Sequence, residues 1–231
     1  MEPLIQIEGL RKVYGATTAL DGVSISLPRD RIIGLLGPNG SGKTTLIKIL
    51  SGLLLPTEGK CTVAGHPIGE ESRARVAYLP ERNSLPLSMT RTEVLNYFSA
   101  FFPDFDRALT ERMLERLGVP DRPIRTFSKG MREKLQLTLV MGRRADLYLL
   151  DEPIGGVDPA AREYILEVIR EMRAEGATVL VSTHLIRDVE EILDEFIFIA
   201  GGKLHAYGSV SALRTEQGKS VDEVFREVFR C

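Results

Sequence analysis

The sequence has no tryptophan, and only two cysteines, Cys61 and Cys231, among its 231 residues. Two thiols so far apart, in no metal-ligand spacing, argue against a disulfide scaffold and for a reducing compartment. An excess of either charge is missing too: 30 basic and 32 acidic residues leave a net charge of −2. No global field draws such a chain to nucleic acid or anionic lipid, and no nucleic-acid partner is expected. Long apolar runs are also lacking. A membrane-spanning helix needs roughly 18–20 uninterrupted apolar residues, whereas the runs 32–37 and 196–202 have only strand length. The N-terminus shows no basic segment leading into an apolar one, so no signal peptide is read. Repeats and low-complexity segments are absent. The expectation is a soluble, internal protein, and 43% hydrophobic residues suffice for a sizeable core.

What is present falls into three blocks. Alternating apolar residues in Leu4–Leu10 and Val23–Leu27 predict an antiparallel opening pair, half buried. The run Arg31–Gly37 predicts a strand covered on both faces, followed by a helix over Gly42–Ser51 and short strands near Lys60–Ala64 and Arg75–Leu79. Helical patterning then takes over, with a capping box at Thr90 and Glu93, a helix from Asp106 to Gly118, and another starting at Ser128. Residues 85–121 read as a helical insertion into an α/β core formed by 1–84 and 122–231. Phe98, Phe101 and Phe102 are expected on its inner face, in preference to a groove for a membrane partner. In the last block strand and helix alternate: Leu147–Leu150, a helix from Asp158-Pro159 to Ala174, Thr178–Ser182, a helix Leu185–Leu193, and Glu195–Ala200. A Gly201-Gly202 hairpin leads into Lys203–Tyr207, and two short helices close the chain. The alternation predicts a mainly parallel sheet in an α/β layer fold, with an antiparallel β sub-domain and an inserted helical one.

The sharpest chemical signal is Gly37-Pro38-Asn39-Gly40-Ser41-Gly42-Lys43-Thr44, which matches G-x-x-x-x-G-K-[ST] in full. Glycines let the backbone curl so that several N–H groups face one anion, and the following helix adds a favourable dipole. Lys43 is assigned to the β- and γ-phosphates and the Thr44 hydroxyl to Mg²⁺, with Thr45 counted among the residues that bind ATP. A glycine-rich turn can match by accident. A match lying between a predicted buried strand and a helix is what the mechanism requires, and the P-loop NTPase fold and ATP follow as expectations.

A second signal is the apolar strand that ends in Asp151-Glu152. Acids often end strands simply because water is there. After a P-loop, however, strand alternation gives each carboxylate its own target: Asp151 to Mg²⁺ through a water, and Glu152 to the hydrolytic water. His184 follows a predicted buried strand and is placed to meet the γ-phosphate and that water. A lone histidine is more often structural, and only its place beside the crevice favours the catalytic reading.

Taken together, these residues resemble the ATP-binding cassette of ABC transporters over nearly the whole chain. Phe127-Ser128-Lys129-Gly130-Met131 is similar to that family's signature motif, usually Leu-Ser-Gly-Gly-Gln; Gly155-Gly156-Val157-Asp158 resembles its D-loop, and His184 its switch histidine. Tyr14 matches the aromatic on which adenine stacks, and Glu81 in Tyr78-Leu79-Pro80-Glu81 occupies the Q-loop position beside Mg²⁺ and the water. The resemblance implies a sandwich in which the P-loop of one subunit and the Ser128–Gly130 helix start of another hold one ATP, with Asp158 nearby. It implies a homodimer, or a heterodimer with another cassette subunit, and an integral membrane permease, the cassette lying on the cytoplasmic face of the membrane. Departures from the pattern are Glu81 for glutamine, Lys129 for glycine, Met131 for glutamine, and Ile154-Gly155 for threonine-serine. The residues assigned to phosphate remain, so hydrolysis is expected to survive with altered coupling. The S-K-G-M and E-P-I-G-G-V-D variants look most like bacterial ABC-2-type exporters with YtrB-like subunits.

The plainer readings are that Ser128 and Asp158 only cap helices and that Tyr14 is an edge-strand aromatic. Rival functions are a soluble ABC ATPase of translation or repair, a small-molecule phosphotransferase, and a weakly hydrolysing ATP-gated switch. The first usually carries two cassettes or a long coiled coil, and the second would not use Ser128, Asp158 or His184.

Overall fold

Alternation at the start of the chain builds a longer ladder than the apolar residues alone suggest. The computed structural model describes residues 2–82, 84–155 and 159–229, the side chains of 159–161 excepted. In it β1 (Ile5–Tyr14) and β2 (Thr17–Leu27) pair antiparallel from Ile5 opposite Leu27 out to Tyr14 opposite Thr17. Next come β3 (Ile32–Leu36), buried at every position, and α1 (Lys43–Leu50). Strand β4 (Glu58–Val63) returns antiparallel to β1. Two elements escaped the sequence pattern, β5 (His66–Pro67) and α2 (Glu70–Ala74). Neither is long enough to display a period.

After β6 (Val76–Leu79) come α3 (Arg91–Phe101) and α4 (Arg107–Arg116), each started by the predicted cap. The Thr90 hydroxyl accepts from Glu93 N, and the Asp106 carboxylate from Leu109 N. Helix α5 (Lys129–Met141) follows, capped by Ser128. Then β7 (Leu147–Asp151), α6 (Pro159–Met172) and β8 (Thr178–Thr183) alternate. The predicted helix over Leu185–Leu193 is instead one turn, α7 (Ile186–Val189), and a 3-10 turn over Glu190–Ile192. It stops there because the next residue belongs to the sheet. Asp194 N donates to Ile32 O at 2.8 Å, and its carboxylate accepts from Ile32 N at 2.7 Å. The hairpin of β9 (Glu195–Ala200) and β10 (Lys203–Ser209) turns at Gly201-Gly202, and α8 (Val210–Gln217) and α9 (Val221–Phe229) end the chain. Among the described residues no helix is long and apolar enough to cross a membrane.

The strands form two sheets. One is antiparallel, in the order β2-β1-β4-β5; the other runs β10-β9-β3-β8-β7-β6, parallel except for β10. Helix α1 lies between them, where Leu46 and Ile47 share a core with Ile5, Leu27, Ile33 and Leu35. On the opposite face Leu36, Leu150 and Val181 pack with Ile165 and Ile169 of α6. Each such side chain contributes about 1.5–3 kcal/mol by leaving water. What this architecture gives the site is one edge: β3, β8 and β7 are neighbours and parallel, so their carboxyl ends open on a common crevice.

The helical segment has its own cluster, in which Val94, Leu95 and Leu114 meet Ile124, Phe127, Leu135 and Leu139. This cluster continues past residue 121 into α5. Leu137, Val140 and Met141 of the same helix join the main core, so α5 divides its faces between the two. The three phenylalanines do not share an inner face as the sequence suggested. Positions four apart stack on a helix, which splits the aromatics into two rows. Phe98 lies inward against Phe102, at 5.3 Å between ring centroids, whereas Phe101 is 63% exposed and stacks on Tyr97 at 4.3 Å.

Candidate active site

The turn between β3 and α1 wraps tightly enough to exclude side chains where it passes other backbone. A Cβ on Gly37 would lie 2.1 Å from Ile199 O, and one on Gly42, whose φ is 106°, would lie 2.6 Å from Ala19 O. The first backbone bond of the helix is Leu46 N to Gly42 O, so the N–H groups of Lys43, Thr44 and Thr45 have no acceptor within the helix. The Ser41 hydroxyl is buried with no partner among the described residues. An anion seated in this turn would meet donors that have nothing else to bind.

Lys43 closes the turn on itself. Its ammonium donates to Gly37 O at 2.7 Å and Pro38 O at 3.1 Å, and lies 3.6 Å from Glu152 Oε1. Burial holds its pKa below the ordinary lysine value, and the charge of Glu152 works in the opposite direction. A cation only 5% exposed is costly without counter-charge, and the nearest one is a carboxylate of the acid pair.

Asp151 is the other buried charge. Its Oδ1 accepts from the Ser182 hydroxyl at 2.6 Å and from the Thr44 hydroxyl at 3.1 Å, while Oδ2 is buried with no partner. Burial pushes this carboxyl above its ordinary value, partly opposed by the two hydroxyls. An unpaired buried carboxylate oxygen costs upwards of about 1–3 kcal/mol, which a divalent cation beside it would offset. The hard oxygen donors Thr44 and Asp151 therefore fit Mg²⁺. Glu81 lines the same cleft, and its charge bears on both Lys43 and Asp151.

The two acids diverge for a reason the sequence did not show. Glu152 has left the strand and sits at φ 50°, the left-handed region, which costs a non-glycine residue about 1–3 kcal/mol. Its N–H reaches back to Ser182 O at 3.0 Å and Ser182 Oγ at 3.2 Å. The turn brings the carboxylate to His184, whose Nδ1 lies 3.1 Å from both oxygens.

These groups share a cleft of about 840 Å³ whose walls include Asn39 to Thr45, Glu81, Asp151, Glu152 and His184. That volume suits a nucleotide. Other predicted residues lie apart. Tyr14 ends β1 and is 45% exposed, with the Lys12 ammonium 5.2 Å from its ring centroid; Ala19, not Tyr14, is on the cleft wall. The Ser128 hydroxyl accepts from Met131 N at 3.2 Å, and the space beside Gly130 is open. Of the D-loop, Gly155 does line the cleft and donates to Glu152 O at 3.0 Å, whereas Asp158 lies outside the described residues. Sequence reasoning missed Ser182, although a hydroxyl after the apolar run Val179–Val181 was a signal. It also missed Gln136, which lines the cleft only 6% exposed with its Nε2 unpartnered among the described residues.

Known proteins resemble this chain over nearly its whole length. The profile of the ABC transporter family matches residues 20–155. Nod factor export ATP-binding protein I of Ralstonia nicotianae is 36% identical, the match covering 96% of this chain and 73% of that protein. The linearmycin resistance ATP-binding protein LnrL of Bacillus subtilis is 32% identical, over 93% of this chain and 72% of its own length. Daunorubicin/doxorubicin resistance ATP-binding protein DrrA of Streptomyces peucetius is 31% identical, over 94% and 68%. A solved ATP-binding subunit of an ABC transporter superposes with a TM-score of 0.86 at 30% identity, covering 98% of this chain and 99% of that one. A nucleotide-free cassette at 23% identity and a TM-score of 0.77 shares the fold.

Proposed function

This chain belongs to the ABC transporter family, and from that premise we propose how its cleft handles ATP and what it drives. It is an ATP-binding and ATP-hydrolysing subunit that powers a separate membrane permease. The exported cargo belongs with those of the relatives named for Nod factor export and drug resistance, so the direction of transport is outward. The rival reading as a soluble ATPase is not favoured by such relatives.

The observation that carries the residue assignments is the meeting of Lys43, Thr44, Asp151, Glu152 and His184 in one cleft. The 37–44 turn and the α1 N-terminus bind the phosphates. The Lys43 ammonium leaves Glu152 for the β- and γ-oxygens as they arrive, a stronger charge-assisted contact than its present 3.6 Å separation. Mg²⁺, when bound, neutralises developing charge on the phosphates. Thr44 and Asp151 would hold it, with Glu81 at the edge of the same cleft. Glu152, freed of the lysine, accepts a proton from the attacking water, and His184 orients that carboxylate and meets the γ-phosphate. Tyr14 offers an exposed ring for adenine.

The site is completed by a second copy of this chain or by a sister cassette. Its Ser128 and Gly130 present another helix start to the γ-phosphate, and its Asp158 lies near. The assembly works at the cytoplasmic face of the membrane beside the permease. The reading is tested by phosphate release from ATP by the purified chain in Mg²⁺. Turnover that disappears in EDTA is expected, and a wild-type chain that binds ATP yet releases no phosphate would contradict it.

A further inference from the structure

Ser182 is fully buried in β8, directly opposite Asp151 in the parallel register with β7. Its hydroxyl touches both members of the acid pair, donating to Asp151 Oδ1 at 2.6 Å and accepting from Glu152 N at 3.2 Å. Chemistry leaves no choice of direction. A carboxylate only accepts and a peptide N–H only donates, so the one hydroxyl proton goes to Asp151 and a lone pair faces Glu152. Thr44 places its proton on the same Oδ1 at 3.1 Å. One oxygen of Asp151 thus takes two donors, and the other is left buried and bare.

We propose that Ser182 is a positioning residue for ATP hydrolysis: it turns Asp151 so that Oδ2 faces the nucleotide's divalent cation, and it pins Glu152 in the left-handed turn that delivers its carboxylate to the attacking water. The proposal rests on the reading above that Asp151 serves the cation. Without the Ser182 hydroxyl the carboxylate is held by Thr44 alone and can present either oxygen. The Glu152 N–H, on a backbone at φ 50°, then keeps only its bond to the Ser182 carbonyl among the described residues. Groups that orient a metal's carboxylate typically change metal affinity or activity about 10–100-fold when removed.

The test measures calorimetric affinity for a non-hydrolysable ATP analogue in EDTA and in Mg²⁺, together with Mn²⁺ binding to the analogue-loaded protein by electron paramagnetic resonance. Ser182→Ala and Ser182→Cys are compared with wild type. Cysteine keeps the size of the side chain without a strong donor, so it covers the case in which the alanine variant is unstable. Both variants are expected to bind the analogue normally in EDTA, to lose about tenfold of the affinity gained from metal, and to weaken Mn²⁺ binding by a similar factor. Wild-type Mn²⁺ affinity in either variant overturns the proposal. Asp151→Asn separates it from its premise. If that variant loses metal binding while the Ser182 variants keep it, only the role of Ser182 fails; if Asp151→Asn also keeps it, the assignment of Asp151 to the cation fails.

Discussion

Thr44 and Asp151 stand 107 positions apart in the chain, yet the threonine hydroxyl donates to the aspartate carboxylate at 3.1 Å. The contact joins the first turn of α1 to the end of β7 across the intervening β8. On the proposed reading, this corner is where the cation and the phosphates meet.

Lys43→Ala is expected to weaken ATP binding about 10–100-fold, the effect of losing a charge-assisted contact worth roughly 1.5–3 kcal/mol. Isothermal calorimetry reads it directly. Normal affinity in that variant would remove Lys43 from the phosphate site.

Asp151→Asn is expected to stabilise the nucleotide-free protein, and the size of the gain depends on pH. Burial raises the Asp151 carboxyl above its ordinary 3.8, so just above that value the native chain holds a proton the unfolded chain has released. The group's contribution therefore falls as pH rises through the window above 3.8. A neutral asparagine removes that loss. The melting-temperature gap between variant and wild type should therefore widen as pH rises above 3.8. Parallel curves would show that the burial of Asp151 carries no such penalty.

Ser128→Arg should leave ATP binding by the single chain intact and abolish hydrolysis, because a bulky cation at that helix start blocks the second copy's approach. Ser128→Ala is the control for capping alone and should cost about 0.5–2 kcal/mol of stability. Full turnover in Ser128→Arg would argue that the site is not shared.

Arg143→Met tests the joint between the helical segment and the sheet. The guanidinium binds Asp104 from both Nε and Nη2, donates to Val76 O at 2.6 Å and Ala74 O at 3.0 Å, and lies 4.3 Å from the Phe102 ring centroid. Losing it should cost about 2–3 kcal/mol, given that Asp104 keeps some solvent. Thermal unfolding measures the change, and a difference under about 0.5 kcal/mol would contradict it.

Sequence alone carried far where chemistry fixes spacing. A turn of this kind needs its glycines, lysine and hydroxyl in consecutive order, so the tight turn between β3 and α1 was legible. Apolar strand runs gave the parallel sheet, and Thr90, Asp106 and Ser128 gave helix starts. Illegible features depended on partners distant in the chain. The helix after His184 was cut short by the bonds between Asp194 and Ile32. Phe101 faced out because Tyr97, not Phe98, shares its row. Glu152 was aimed by a left-handed turn held by Ser182, not by strand alternation.

The most direct measurement is phosphate release by Glu152→Gln, with ATP binding followed in the same samples. Glutamine keeps the shape of the side chain but cannot take the water's proton at neutral pH. ATP should bind at least as tightly as in wild type while turnover drops by about 100-fold or more, leaving two ATP-bound copies closed on each other. Wild-type turnover in that variant would contradict the account at its centre.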